Sequence, residues 1–462
     1  MNNHPNILFL GIDSCRATRM GLCGYHRNNT PHLEDMAGKG VNFTHCFSPS
    51  IPTPPGYSAL LTGRDCFGTG IVTLRNVPEL PPGITLQEVL SARGYNSTCV
   101  GFGDGAYTHG FQNYIAYSGW GADRPDGKSH KAENLNDVAL PELKRLAGED
   151  APFFLFLRHM DPHSPYLPPA PFDRMFYGGD EYDKDNKSLD NLWAFKPFAT
   201  YFREWFPVDC TDAQYVNAQY DGAIAYMDAC IRQLFTALKE LGIEDNTIVV
   251  ITSDHGETLD EHGCWYDHHG LYEPTLRVPL AIAWPGHIPA GLQFDDYVQQ
   301  KDLMPTLLEL LGIKTRLKFD GRSLSAFWTG AQRTPEPEFY LTEATWMRKH
   351  GWRTPEWKLI EALEPDFHFK PAIELYNLIK DPLELDNVAE QNPEVVAMLQ
   401  TRMNAHIAAQ KKAWKTKNPV TEVADKTWNG LGRPYAASEE AYEGMFIGNP
   451  AAANKLQAQK KG

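Results

Sequence analysis

The chain has 462 residues, 42% of them hydrophobic, enough for a large core or two domains. A formal net charge of −15 excludes general nucleic-acid binding, which needs a basic surface, and otherwise implies mainly solubility. No apolar run has the length of a membrane span, residues 1–5 carry no positive charge cluster, and the run 7–12 is too short for a signal core, so a cytoplasmic protein without a membrane partner is expected.

In chain order, the first element is an apolar, strand-like run, Asn6–Ile12, with Asp13 directly behind it. A hydroxyl residue, Thr53, then precedes Pro54-Pro55 and a helix-like stretch that ends in Thr62-Gly63-Arg64. Proline is favoured in a first helical turn, so the pattern predicts Thr53 at a helix N-terminus, where free N–H groups and the helix dipole favour an anion. Residues 168–212 hold Phe172, Tyr177, Tyr182, Trp193, Phe195, Tyr201, Trp205 and Phe206 and are too long for a plain connector; they read either as a cap beside the site whose aromatics select the leaving group or, equally, as an ordinary packed insertion. Apolar residues at 3.6 spacing predict a helix over 220–238. The β-branched run 247–252 predicts a buried strand that delivers Asp254 and His255 at its C-terminal end, where open α/β sheets place their chemistry.

Residues 1–325 therefore read as a doubly wound α/β domain with helices on both faces of the sheet. Residues 326–413 read as a smaller α+β subdomain, with strands at 338–342 and 357–360 and a helix at 393–413. The tail 414–462 reads as an arm packing on a neighbour in a homo-oligomer or, alternatively, as a disordered end. The eight cysteines show no Cys-x-x-Cys spacing and are expected to be reduced thiols.

Taken in order, several segments resemble the sulfatase-like branch of the alkaline phosphatase superfamily, over about residues 5–390. They are Pro5–Asp13, Thr30–Phe43, Ser58–Arg64, His159–Tyr166, Ser253–Glu257, Leu271–Leu280, Asp302–Leu308 and Glu374–Pro382. The resemblance implies a metal held by Asp13, Asp254, His255 and the nucleophile's oxygen. It also implies a leaving-group contact at His163 and a supporting arginine at Arg64. His268 falls nearest the family's substrate lysine and is expected to donate a proton to the leaving oxygen, with His269 beside it at the substrate or at a second metal.

The departures are as informative. Where sulfatases have Cys-x-Pro-x-Arg, with the cysteine oxidised to formylglycine, this chain has Thr53-Pro54-Pro55-Gly56-Tyr57, so no formylglycine is expected. The family's Lys-x-His pair is replaced by Phe102 and Asp104, and Ser14 follows Asp13 where many sulfatases have a second aspartate. Tyr57, Asp104 and His269 are the expected substrate contacts, and Thr53, His163, His268 and Arg64 the expected catalytic group. Threonine nucleophiles occur in related phosphodiesterases and phospho-transferases. The expected activity is therefore hydrolysis of a phosphodiester or phosphonate monoester, a small anionic substrate, through a phosphothreonine at Thr53. Three oxygens and one imidazole suit Zn²⁺ or Mn²⁺ better than Mg²⁺, with Ca²⁺ an alternative. The competing readings are a sulfatase working without formylglycine and a non-catalytic anion-binding protein.

Overall fold

The computed structural model describes residues 4–74, 77–103, 105, 108–332, 337–423 and 435–445. Its strands are β1 (Asn6–Ile12), β2 (Gly40–Phe47), β3 (Ser50–Ile51), β4 (Asn96–Gly101), β5 (Asn113–Ala116), β6 (Phe153–His159) and β7 (Thr247–Ser253). They continue as β8 (Arg277–Ala283), β9 (Leu292–Phe294), β10 (Val298–Gln299), β11 (Phe339–Ala344), β12 (Arg348–Arg353), β13 (Trp357–Ala362) and β14 (Ile373–Asn377). A large mixed sheet runs in the order β10-β2-β8-β7-β1-β6-β4-β5, with β9 also paired to β2. Helices cover both faces. The 28-residue helix Ala213–Glu240, which contains the predicted span 220–238, and the helix Lys131–Ala147 share one hydrophobic cluster; helices Thr53–Thr62 and Leu303–Leu310 belong to the other.

β1 is the middle of this sheet because all seven of its residues are buried and all but Asn6 are apolar, so it can be covered on both faces. It pairs in parallel with β7 and with β6, in registers that set Ile12 beside Ser253 and beside His159. Asp13, Asp254 and the segment after His159 therefore emerge together at one edge.

The smaller sheet, β14-β13-β12-β11-β3, contains the two strands expected near 338–342 and 357–360, and the helix Pro393–Trp414 packs on it through Val396, Leu399 and Met403. Its fifth strand comes from far upstream in the chain. β3 pairs in parallel with β11, setting Ile51 beside Glu343, and Ser50 Oγ lies 2.7 Å from Thr342 Oγ1. Thr53 follows β3 directly, so the smaller sheet fixes the approach to the candidate nucleophile. The rings of segment 168–212 mostly pack on one another and into the main core; Phe206 is 5% exposed and its ring lies 5.5 Å from that of Tyr266. Tail residues 435–445 pack on the same chain, through Tyr442 against Phe195. All eight cysteines are unpaired, and no helix among the described residues is long and apolar enough to cross a membrane.

Two devices hold the strand-end loops together. Gly56, in the first turn of its helix, presses against the backbone after β7; a Cβ there would lie 2.5 Å from the Asp254 carbonyl oxygen. Arg16 Nη1 donates to the Glu257 carbonyl at 3.2 Å and to Glu261 Oε1 at 2.8 Å, tying the loop after β1 to the loop after β7. Burial would raise the Glu261 carboxyl, but Arg16 outweighs it and holds it at about 2.

Gly56→Ala is expected to lower the melting temperature, at a cost of about 1–3 kcal/mol, although helix propensity alone favours alanine by about 1 kcal/mol; an unchanged or raised melting temperature contradicts the close approach. Glu261 is depressed in the folded state, so its contribution is present above its ordinary value of 4.5 and is lost as pH falls toward about 2. Melting curves of wild type and Glu261→Gln should differ at neutral pH and converge across that acid window.

Candidate active site

Asp13, Asp254 and His255 are fully buried and bring one ligand atom each to within 4.8 Å of one another. Burial and the neighbouring Asp13 push the Asp254 carboxyl well above its usual range. Burial would do the same to Asp13, but Arg158, with His163 and His255, holds it low. Arg158 Nε donates to Asp13 Oδ2 at 3.0 Å, and a second guanidinium nitrogen contacts the same oxygen. Asp254 Oδ1 accepts from the backbone N–H groups of Ser14, at 3.1 Å, and His255, at 2.9 Å, whereas Oδ2 has no hydrogen-bond partner among the described residues. Ser14 reaches that position with φ 56°, a left-handed conformation that costs a non-glycine residue about 1–2 kcal/mol.

His255 Nδ1 lies 2.8 Å from the Gly256 carbonyl, so the ring proton belongs on Nδ1 and the Nε2 lone pair is left facing inward. Nε2 is 3.0 Å from Thr53 Oγ1. Two carboxylates, one neutral imidazole and a hydroxyl, with a buried carboxylate oxygen left unsatisfied, form a donor set that fits a divalent cation.

Thr53 is the first residue of its helix, as the proline pattern predicts, and is 7% exposed. The expected ring of free N–H groups is absent, however. Pro54 and Pro55 have no N–H, and the Gly56 N–H is given to the Pro52 carbonyl at 3.1 Å. Only the dipole and the Thr53 N–H remain to favour an anion. Arg64 is a second correction. It lies past the far end of this ten-residue helix, about 15 Å from Thr53 at the usual helical rise. There it donates to the Lys318 carbonyl at 3.1 Å and covers the Trp414 ring. Tyr57 is fully buried, with its ring against Phe156 and its centroid 5.5 Å from the Arg158 guanidinium. Asp104 lies outside the described residues.

Three imidazoles form a row. The His255 and His268 rings are 4.6 Å apart and those of His268 and His163 are 5.6 Å apart. Burial keeps all three neutral, bringing His163 to about 4. His163 Nδ1 lies 2.7 Å from the Ser164 carbonyl, which leaves Nε2 as an acceptor. Lys131, buried, fastens this turn by donating to the carbonyls of His163, at 2.7 Å, and Pro165, at 2.9 Å. The Trp120 ring stands edge-on to His163 at 5.4 Å and is 59% exposed, so the aromatic at the rim of the site comes from residues 117–130 rather than from the 168–212 insertion.

His269 turns away from this row, into the junction with the smaller sheet. Its Nδ1 lies 2.5 Å from Glu343 Oε1 and its ring stacks on His368. Burial opposes charge on His269, but Glu343 and Asp366 outweigh it and hold its pKa at about 9. Asp366 is paired with Lys349 at 2.5 Å. Although His269, Asp366 and His368 are close enough to share an ion, the two carboxylates already face two cations, and the cluster is balanced without one.

Arg158 and Trp120 carry no motif, which is why they escape sequence reasoning. A charged residue closing the apolar run Phe153–Leu157 was the available signal for Arg158.

Residues 5–313 match the sulfatase family, and residues 260–412 match the C-terminal region of N-sulphoglucosamine sulphohydrolase. Among curated relatives, an N-acetylglucosamine-6-O-sulfatase of Bacteroides thetaiotaomicron is 24% identical over 86% of each chain. Arylsulfatase K of Bos taurus is 27% identical over 94% of this chain and 87% of its own. Among solved structures, the phosphonate monoester hydrolase of Agrobacterium radiobacter superposes with a TM-score of 0.71 at 22% identity, covering 88% of this chain and 96% of that one. With the metal-type donor set at its strand ends, the chain belongs to the sulfatase family, a family of metal-dependent enzymes.

Proposed function

We propose that this chain hydrolyses a phosphodiester or a phosphonate monoester through a covalent phosphothreonine at Thr53. The observation that carries the reading is Thr53 itself: a hydroxyl 3.0 Å from His255 Nε2, beside the Asp13–Asp254 pair, where a formylglycine sulfatase has its cysteine. A formylglycine hydrate sheds sulfate by eliminating to the aldehyde. A threonine ester has no such route and needs water to attack the central atom, a loss that harms sulfate turnover more than phosphate turnover. The low positive charge of the site favours a substrate with a single negative charge, since Arg158 is engaged by Asp13 and position 57 is tyrosine.

Asp13, Asp254, His255 and the Thr53 hydroxyl would hold the ion, Zn²⁺ or Mn²⁺ by donor type. When bound, such an ion polarises the ester oxygen and favours the deprotonated hydroxyl. Thr53 Oγ1 attacks phosphorus, the bond to the leaving oxygen breaks, and the proton released by Thr53 ends on that oxygen. His268 lies on this side of the row as a hydrogen-bond donor to the leaving oxygen. Water then attacks the same phosphorus, the bond to Thr53 breaks, the neutral His163 Nε2 accepts the water's proton, and that proton passes to the departing Thr53 Oγ1 to restore the hydroxyl. Trp120 offers a face to the departing alcohol.

Sulfuric-ester hydrolysis without formylglycine is the second reading, favoured by the sulfatase names of the relatives. A non-catalytic anion-binding role is disfavoured by the intact Asp13, Asp254 and His255.

A matched panel of nitrophenyl phosphodiester, phosphonate monoester, phosphate monoester and sulfate, run on metal-reconstituted protein, separates these readings. Diester or phosphonate turnover is expected to lead, and to fall by about 10³-fold or more in Thr53→Ala; full activity in that variant, or dominant sulfate turnover, overturns the proposal. Chelation of the metal should abolish turnover, and added Zn²⁺ or Mn²⁺ should restore it; unchanged turnover in chelator contradicts the role given to the ion.

A further inference from the structure

Glu257 is unexplained by the chemistry above. It is fully buried, two residues past His255, and neither carboxylate oxygen has a hydrogen-bond partner among the described residues. The hydroxyls of Ser14 and Tyr166 approach it, but neither is aligned to bond to it. Beside it lie Asp267 and His268, and the three residues bring one ligand atom each to within 4.8 Å of one another.

The geometry around Asp267 is that of an oriented ligand. Its Oδ2 accepts from Trp346 Nε1 at 2.6 Å, and its Oδ1 accepts from the His268 backbone N–H at 2.7 Å. His268 Nδ1 lies 3.2 Å from the same Oδ1 yet makes no hydrogen bond in that direction. Two donor atoms at that separation, not aimed at each other, suit two ligands of one ion with bonds of about 2.0–2.2 Å. A carboxylate fixed by an indole N–H on its other oxygen is the outer-shell arrangement metal ligands use.

Charge points the same way. Asp13 and Asp254 in one group and Glu257 and Asp267 in the other adjoin across the His255–His268 ring contact, and Arg158 pairs with Asp13. With one divalent ion at Asp13, Asp254 and His255, four carboxylates still outnumber the positive charge by one before an anionic ester enters. A second divalent ion reverses that sign. The balanced cluster at His269, Asp366 and His368 lacks this deficit, since Lys349 and His269 already answer its carboxylates.

We propose that Glu257, Asp267 and His268 form a second divalent-cation site, adjoining the first across the His255–His268 ring contact, so that the centre is binuclear. An ion on His268 Nδ1 fixes that ring's proton on Nε2, which keeps His268 a hydrogen-bond donor toward substrate. The inference stands independently of which ester is cleaved.

The test is the number of Mn²⁺ ions bound per chain by chelator-stripped full-length protein, by equilibrium dialysis with elemental analysis, together with electron paramagnetic resonance of the loaded protein. Wild type is expected to bind two ions with a spin-coupled signal, and Glu257→Gln and Asp267→Asn one each with the coupling lost; Asp366→Asn, a control, should retain two. If Glu257→Gln does not fold, Asp267→Asn decides, because the amide oxygen can still accept from Trp346. One ion in wild type, or two in both variants, overturns the proposal. Failure on phosphoesters would leave this count unchanged, so the two readings fail separately.

Discussion

The site depends on two like charges buried side by side. The β1–β7 register sets Ile12 beside Ser253, so Asp13 and Asp254 leave neighbouring strands at about the 4.8 Å strand spacing. Taken out of water, such a pair is unfavourable unless cations answer it. Arg158, delivered by the next strand, β6, answers one face of Asp13. The open Asp254 Oδ2 and the inward Nε2 of His255 face what remains. The fold thus creates an electrostatic demand at one point and places a hydroxyl, Thr53, beside it.

The rest of the architecture keeps that point dry and rigid. Tyr220, from the long helix on one face of the sheet, donates to the Ser14 carbonyl at 2.8 Å and accepts from the Arg16 N–H at 3.1 Å, pinning the loop behind Asp13. Gln300 donates to the Asp254 carbonyl at 2.9 Å. On the nucleophile's side, β3 docks on β11, and Glu343, whose backbone pairs with Ile51, also holds His269 and the Gly270 N–H. The smaller sheet is therefore coupled both to the segment entering Thr53 and to the loop carrying His268. That places His269 in the joint between the sheets rather than at the substrate.

The parts of this arrangement that were legible in the sequence are those governed by local pattern. Apolar runs announced β1 and β7, and the residues that close them, Asp13, Asp254 and His255, are the ones brought together. The proline pattern placed Thr53 at a helix start, but it also hid a consequence: the prolines that begin the helix remove the N–H groups that would have bound an anion. What was not legible depends on long-range contact. β3 is two residues long and has no pattern of its own; it exists only because β11 arrives to pair with it. Arg64 was assigned by motif, and helix length then carries it away from the site. His268 and His269 are adjacent in sequence, yet loop geometry sends one ring toward His255 and the other toward Glu343. The rings of the 168–212 insertion, which the sequence leaves open between a cap and a packed insertion, are mostly used for packing.

In the proposed reaction Thr53 forms a bond to the substrate's phosphorus. Intact-protein and peptide mass spectrometry, on enzyme acid-quenched during turnover of a slow phosphonate monoester, tests it most directly. A phosphonyl adduct is expected on the peptide bearing Thr53, disappearing when substrate is exhausted. Turnover with no adduct on that peptide, or an adduct on another residue, would contradict it.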